Sequence, residues 1–166
     1  MFDLVLKGGR LFDPGRNVDT VADIGFRNGR VAAIDANIPA DAARDAQDVT
    51  GLIVTPGLID LHTHVYWGGT SLGVDADEMA LRGGTTTFVD AGSAGAGNFK
   101  GFRRHVIERS KSRILCYLNI SYAGIYGFSK NVMVGECGDI RLLDAREAVA
   151  CGREHSDLIV GMKARI

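Results

Sequence analysis

The sequence predicts an α/β fold built on parallel strands, preceded by a small segment that is rich in short strands. Two observations lead to this fold class. Residues 1–54 alternate apolar and polar positions between turn residues, whereas from residue 55 onward a strand, a loop and a helix follow one another repeatedly. Glycine supplies 22 of 166 residues, about twice its usual share, which suits many tight turns between elements.

The first segment, residues 1–54, is predicted to form a small β layer. Apolar and polar residues alternate over residues 2–7, and Gly8-Gly9 is predicted to turn the chain. A hairpin is predicted around Asn28-Gly29, because this pair suits the positive φ angles of a type I′ turn. Residues 41–48 are polar and rich in alanine, and we expect a surface connection there.

The second segment, residues 55–166, alternates four predicted strands with three predicted helices. The strands are expected at residues 58–62, 85–89, 114–118 and 158–162, and the helices at residues 75–82, 99–109 and 144–155. Strands that alternate with helices run parallel and are joined by right-handed crossovers. Four such units fit either an open doubly wound sheet or half of an eight-stranded barrel, and the residues at the strand ends must decide between them.

Composition narrows the classes of function. The formal net charge is -1, so nothing in the sequence suggests a nucleic-acid partner or an acidic membrane surface. The N-terminal residues contain no basic segment followed by a long apolar run, and we expect neither a signal peptide nor a spanning helix. Three cysteines without metal-finger spacing argue against a disulfide framework and favour a cytoplasmic protein.

The strongest chemical signal is the run that ends at His64 and reads Pro-Gly-Leu-Ile-Asp-Leu-His-Thr-His. His62 and His64 are two residues apart, so in an extended chain both side chains project from the same face. Two imidazoles on one face can bind one divalent ion, and imidazole suits zinc. A pair of surface histidines is the alternative reading, but this pair follows a strand end, where barrel enzymes place their active sites.

Lys163 ends the fourth predicted strand. A lysine at a strand end is usually a solvated charge. Inside the mouth of a barrel, however, burial disfavours the charged ammonium, and the neutral amine can take up carbon dioxide to become a carbamate. That anion can bridge two metal ions and offset part of their charge.

With these residues, the sequence resembles the amidohydrolase superfamily, most closely its dihydroorotase-like and deacetylase-like branch. The resemblance covers the whole chain. It is carried by the run ending at His64, by Gly-Gly-Thr-Thr-Thr at residues 83–87, and by Gly-Met-Lys ending at Lys163, the place of the family's carboxylated lysine. It implies a (β/α)8 barrel of the TIM type, with strands one to four within residues 55–166 and part of a small β-sandwich at residues 1–54.

The resemblance also implies a mechanism. Two divalent metal ions, zinc by preference, would lie at the strand ends, with His62 and His64 on the first ion and carboxylated Lys163 bridging both. A hydroxide between the ions would attack an amide or ester carbonyl, as in a deacetylase. The alternatives are a cyclic amidohydrolase such as a dihydroorotase, and a non-catalytic scaffold of the same fold. A mononuclear deaminase would not require Lys163.

Two departures from the family pattern bear on this expectation. Dihydroorotases usually carry arginine two residues after the second histidine, whereas this position is Tyr66, so dihydroorotate is expected to be a poor substrate. The family also uses two histidines and an aspartate from barrel strands five, six and eight, and the given residues end at Ile166 after strand four. We therefore expect a longer polypeptide or an assembly to supply the second half of the barrel.

Aromatic and amide side chains near the strand ends are weaker candidates for binding a small-molecule substrate. Tyr66 and Trp67 follow the histidine pair, and Asn119, Tyr122 and Tyr126 follow the third strand. Loops at this end of a barrel often carry function, although plain packing is an equally good explanation for any one of these residues.

A structural role is expected for Asp90, which ends the second strand and can hydrogen-bond a loop or a ligand histidine. The sequence leaves a homo-oligomer open, and it names neither the acyl group nor the leaving group.

Overall fold

The computed structural model describes residues 1–165. The chain divides into two compact units, one formed by Met1–Pro56 and one that begins at Gly57. All three cysteines are free thiols. Within residues 1–165, no helix is both long enough and apolar enough to cross a membrane.

The first unit is a five-stranded sheet. Its strands are β1 (Phe2–Asp13), β2 (Val18–Arg27), β3 (Arg30–Asp35), β4 (Ala43–Asp48) and β5 (Ile53–Val54). The order is β3-β2-β1-β4, with β5 also paired to β1. Strand β2 runs antiparallel to β1 and β3, whereas β4 and β5 run parallel to β1. The buried apolar side chains of this unit include Val5, Leu11, Ile24 and Ile38.

The predicted hairpin is confirmed, because Asn28 and Gly29 join β2 to β3 with φ angles of 52° and 70°. The predicted turn at Gly8-Gly9 is wrong. Strand β1 continues through both glycines, and Gly8, at a φ of 71°, forms a bulge where the pairing with β2 shifts register. The bulged backbone is held by the buried Asp23 carboxylate, which accepts the Gly8 N–H at 2.8 Å.

The predicted surface connection at residues 41–48 is also wrong over most of its length, because Ala43–Asp48 forms strand β4 at the edge of the sheet. Its residues after Ala43 are exposed. Polar and charged side chains are what an edge strand tolerates, since they discourage pairing with further strands. The polar pattern therefore marked the edge of the sheet rather than a loop.

The second unit is a sheet of four parallel strands with helical connections. The strands are β6 (Leu58–Thr63), β7 (Thr85–Gly95), β8 (Arg113–Asn119) and β9 (Ile159–Lys163), and the helices are α1 (Ala76–Gly83), α2 (Phe99–His105) and α3 (Ala145–Glu154). The strand order β6-β7-β8-β9 follows the chain, and every neighbouring pair is parallel. This order confirms the predicted parallel architecture. The predicted helix at residues 99–109 is shorter, since a 3₁₀ turn at Ile107–Arg109 replaces its last part.

Local sequence signals fix the ends of helix α1. The Asp75 carboxylate accepts the N–H groups of Asp77 and Glu78, which satisfies donors that have no partner within the helix. Gly84 ends the helix in the left-handed conformation, with a φ of 67°.

Asp77 ties helix α1 to the loop that leads into β8. Its carboxylate accepts the Ser110 hydroxyl at 2.7 Å and the backbone N–H groups of Lys111 at 2.9 Å and Ser112 at 2.8 Å. Burial raises the pKa of Asp77, but these hydrogen bonds outweigh it and hold the pKa well below its ordinary value. The ionised carboxylate therefore stabilises this connection.

The core of the second unit lies between the sheet and its helices. Phe99 and Phe102 of α2 are fully buried, as is Leu118 of β8, and Phe88 of β7 is nearly so. Burial of each large side chain contributes roughly 1.5–3 kcal/mol relative to exposure. This packing holds the strands in place, so that their carboxyl ends form one fixed edge.

The strand register brings polar residues to that edge. Thr63 pairs with Asp90, and Asn119 pairs with both Gly95 and Lys163. Strand β7 extends to Gly95, well past its predicted end at Val89. The extra residues of β7 run between the ends of the neighbouring strands.

Candidate metal centre

The histidine pair lies where the sequence predicts, at the carboxyl end of β6. The ring centroids of His62 and His64 are 5.7 Å apart, and their planes are inclined by 77°. Thr63, between them, donates its hydroxyl to the Val89 carbonyl at 3.2 Å. Thr63 thus binds the neighbouring strand, while the two imidazoles flank it.

Ser93 fixes one ring nitrogen of His64. The Ser93 hydroxyl lies 2.9 Å from Nδ1 of His64, and Ser93 is fully buried. The partner on Nδ1 leaves Nε2 as the nitrogen that can bind a metal ion, an arrangement common among metal-binding histidines.

The surroundings of His64 favour its neutral imidazole. Burial lowers the pKa of His64, and the positive charges of His62 and Lys163 also lower it, against the opposite effect of Asp90 and Glu136. A neutral imidazole is the form that binds metal.

Lys163 approaches the same place from β9. A Cβ atom placed on Gly92 would lie 2.7 Å from Cγ and 2.8 Å from Cβ of Lys163, so the lysine stem packs directly on the bare glycine backbone. The next residue, Ser93, holds His64. The dipeptide Gly92-Ser93 therefore contacts the side chains of both His64 and Lys163, which come from the two outer strands of the sheet.

Asp90 anchors the backbone around this centre. It is fully buried, and its carboxylate accepts the N–H of Val65 at 2.8 Å and that of Ser93 at 2.6 Å. Burial raises the pKa of Asp90, and the two N–H donors oppose that effect. The expected structural role is confirmed, because one carboxylate fixes the residue after His64 and the residue that holds its ring.

Among residues 1–165, histidine, cysteine, aspartate and glutamate side chains form no group of three or more that could hold a metal ion. The arrangement consists instead of two histidines and one lysine around a serine and a glycine.

Comparison with known proteins places this chain in a family. A deacetylase from Agrobacterium fabrum is 38% identical over 138 residues, which are 83% of this chain and 33% of the relative. A dihydroorotase from Geobacter sulfurreducens is 32% identical over 144 residues, 84% of this chain and 33% of the relative. A crystal structure of a dihydroorotase matches with a TM-score of 0.84 at 33% identity, over 96% of this chain and 41% of that chain. No family model matches the sequence.

The chain belongs to the amidohydrolase superfamily. This confirms the resemblance found in the sequence, and the parallel sheet of the second unit corresponds to the N-terminal part of the family's TIM-type barrel. The chain spans 33% of the length of these curated relatives.

In this amidohydrolase chain, Tyr66 is half-buried and packs against the core of the second unit. Its ring stacks on Phe102 with a centroid distance of 4.5 Å, and its hydroxyl donates to the Asn98 carbonyl at 3.4 Å. Burial raises the pKa of Tyr66. Tyr66 thus stacks on α2, and its predicted contact with substrate stays a prediction.

Trp67 is exposed and lies at a separate cavity of about 200 Å³, whose lining includes Asp77, His105 and Arg109 but none of the predicted metal ligands. Trp67 therefore lies at a cavity that the predicted metal ligands do not line, and its predicted contact with substrate stays a prediction.

Asn119 is the last residue of β8. It is fully buried, and its amide nitrogen donates at 2.9 Å to both the Gly92 carbonyl and a Glu136 carboxylate oxygen. Its amide oxygen accepts the Ser121 N–H at 2.9 Å. These bonds use both amide hydrogens and hold the end of β8 in place, while the predicted contact of Asn119 with substrate stays a prediction.

Tyr122 and Tyr126 are 46% and 48% exposed, respectively, in the loop after β8. The Tyr122 backbone is fixed, since its carbonyl accepts the Gly97 N–H at 2.9 Å and its N–H donates to Leu142 at 2.8 Å. Both rings remain accessible, and their predicted contact with substrate stays a prediction.

Sequence reasoning missed Ser93 and Glu136. The small residues that follow Asp90, from Ala91 to Gly95, could have indicated a close approach of side chains to the backbone there. Nothing in the sequence singles out Glu136, because it becomes buried only when its loop folds back onto Asn119.

Proposed function

We propose that the protein containing this chain is a metal-dependent hydrolase that cleaves an amide or ester bond of a small molecule, in the manner of a deacetylase. The observation that carries the proposal is the contact of one dipeptide, Gly92-Ser93, with both His64 and Lys163 at the carboxyl edge of a parallel sheet. Similarity to a deacetylase at 38% identity supports the same chemistry.

The donor set fits a divalent metal ion. His64 offers Nε2, because Ser93 occupies Nδ1, and its lowered pKa favours the neutral ring. Two nitrogen donors from His62 and His64 suit zinc, which we propose as the metal. Lys163, once carboxylated, would supply the oxygen donors that hold two ions together. When bound, the metals would activate water and polarise the substrate carbonyl.

The other residues would act by orienting these ligands. Ser93 would keep Nδ1 of His64 engaged and so fix both its tautomer and the direction of Nε2. Asp90 would hold the backbone on both sides of this contact. Gly92 would leave room for the stem of Lys163. Each of these residues would position a metal ligand, and none of them would transfer a proton to the substrate.

A cyclic amidohydrolase is the second candidate, favoured by the TM-score of 0.84 to a dihydroorotase. Tyr66 argues against dihydroorotate as the substrate. It occupies the position where the resemblance calls for arginine, and its ring stacks on Phe102. Turnover of dihydroorotate comparable to that of an acetylated ester or amide would favour this second candidate.

The proposal is tested by metal content and hydrolysis measured together on the protein that contains this chain. Replacing His62 or His64 with alanine should remove most bound zinc and most hydrolysis of acetyl esters and amides. Lys163→Ala should do the same and recover part of the activity when a short carboxylic acid is added. His105→Ala is the matched control, because this exposed histidine on α2 is far along the chain from the centre and lines a different cavity. Full metal occupancy in His64→Ala would refute the proposal.

A further inference from the structure

Glu136 is a buried carboxylate in the loop that follows β8, and its side chain is only 4% exposed. Within residues 1–165, one carboxylate oxygen accepts the Asn119 amide at 2.9 Å, and the other lies 3.6 Å from Nη1 of Arg165. The contact with Arg165 is an ion pair without a short hydrogen bond, and the Arg165 side chain is 62% exposed. These partners therefore compensate the negative charge of Glu136 only in part.

Contacts through Asn119 place this carboxylate next to the candidate metal centre. Asn119 ends β8 and pairs in register with Lys163 at the end of β9. Its amide nitrogen, which binds Glu136, also donates to the Gly92 carbonyl at 2.9 Å. A Cβ atom placed on Gly92 would lie 3.5 Å from that nitrogen and 2.7 Å from Cγ of Lys163. The Asn119 amide and the Lys163 side chain thus meet at one glycine, and Glu136 lies one hydrogen bond from that amide.

The hydrogen bond to Asn119 does not by itself account for an acidic residue at position 136. Burial of an incompletely paired carboxylate is costly, because the ionised group loses its hydration. Glutamine could accept the same hydrogen bond without that cost, and an exposed ion pair such as the one with Arg165 contributes little. A cation beside the carboxylate would account for the charge, and the neighbouring strand ends carry the ligands proposed for divalent cations.

A divalent ion at this centre would be stabilised by a fixed negative charge nearby. Coulomb attraction to a carboxylate is twice as strong for a divalent as for a monovalent ion, and salt screens a buried charge much less than a surface charge. Burial and the hydrogen bond to Asn119 hold the Glu136 carboxylate in one place. The charge is therefore already in position when a metal ion binds.

We propose that Glu136 is an outer carboxylate of the metal centre, which raises the affinity for divalent ions without binding them directly. Asn119 holds this carboxylate at the end of β8, beside the Lys163 side chain. The inference rests on the proposed metal centre, but it concerns metal affinity and does not require turnover.

The test measures zinc affinity and stability separately in variants of the protein that contains this chain. Glu136→Gln removes the charge but keeps the shape of the side chain and an acceptor for Asn119. It should weaken zinc affinity, measured by competition with a chelating dye, about 10-fold, the lower end of the range for residues that support metal ligands. In urea, the zinc-free variant should be at least as stable as the unmodified zinc-free protein, because a buried charge is removed while Arg165 remains in solvent.

Two further variants separate the effect of charge from that of packing. Glu136→Asp keeps the charge on a shorter side chain and should bind zinc more tightly than Glu136→Gln. Asp139→Asn removes a carboxylate from the same loop, but this carboxylate is paired with Arg141 at 2.6 Å. Asp139→Asn should therefore leave zinc affinity unchanged.

Unchanged zinc affinity in Glu136→Gln would overturn the inference. A zinc-free Glu136→Gln that is unfolded or less stable would overturn it too, and so would equal losses of zinc affinity in Glu136→Asp and Glu136→Gln, since the residue would then act by packing. Zinc retained in His64→Ala would instead refute the proposed centre, and this inference with it. A protein that shows the predicted zinc affinities but hydrolyses nothing would refute the hydrolase and keep the role of Glu136.

Discussion

Replacing Gly92 with alanine tests the contact that brings His64 and Lys163 together. The new Cβ would lie 2.7 and 2.8 Å from Cγ and Cβ of Lys163. Rotation of the lysine side chain cannot relieve this clash, because Cβ of Lys163 is fixed by the backbone of β9. The φ of Gly92 is 88°, in the region that favours glycine. Left-handed backbone costs about 1–2 kcal/mol and overpacking about 1–3 kcal/mol, so the substitution should destabilise the fold by roughly 2–5 kcal/mol.

Gly84→Ala is the matched control for the backbone contribution. Gly84 has a φ of 67°, but within residues 1–165 no atom outside Gly84 and its chain neighbours lies within 4 Å of the position its Cβ would take. It should therefore lose only about 1–2 kcal/mol, the cost of a left-handed alanine. The assay is urea denaturation of both variants, with zinc content measured on the folded proteins. Gly92→Ala should be the less stable variant and the only one to lose zinc.

Equal stability of the two variants, with zinc retained in both, would refute the reasoning. The Lys163 side chain would then not pack against Gly92 as the geometry requires, and zinc binding would tolerate a methyl group at residue 92.

Three further predictions address neighbouring contacts. Ser93→Ala should weaken zinc affinity about 10- to 100-fold, as usually follows when a metal-binding histidine loses the hydrogen bond to its other ring nitrogen. Zinc affinity is measured by competition with a chelating dye, and the control Ser71→Ala should not change it. Asp77→Asn should destabilise the fold by about 1–3 kcal/mol at neutral pH. The pKa of Asp77 is lower in the folded than in the unfolded protein, so the stability difference between wild type and variant should shrink as pH falls below about 4. A stability difference that stays constant to low pH would contradict this prediction, and so would an equal loss of stability in Glu78→Gln. Tyr66→Phe should leave substrate KM within about twofold, since phenylalanine keeps the ring that stacks on Phe102. A large rise in KM would show instead that the Tyr66 hydroxyl contacts substrate.

The histidine pair and the lysine could be located from sequence because their signals are local. Two-residue spacing after a strand places His62 and His64 on one face, and counting strand–helix repeats places Lys163 at the end of the fourth strand. The same periodicity predicts the parallel order of β6 to β9. These inferences need no knowledge of long-range contacts.

What the sequence did not reveal depends on such contacts. A glycine pair favours a turn or a bulge equally, and Gly8 forms a bulge because Asp23, on the adjacent strand β2, accepts its N–H. Strand β4 lacks apolar alternation because both of its faces are exposed at the sheet edge. The partner of the Asn119 amide could not be predicted, because Glu136 reaches it only when the loop after β8 folds back.

The most direct test of the account is to detect a carbamate on Lys163 together with bound metal. The zinc-loaded protein is incubated with ¹³C-labelled bicarbonate, and its ¹³C NMR spectrum is recorded alongside zinc content. We predict one carbamate signal per chain, which disappears in Lys163→Ala and in His64→Ala but persists in Lys111→Ala. A zinc-loaded protein without the signal, or a signal that survives in Lys163→Ala, would contradict a centre built from His62, His64 and Lys163.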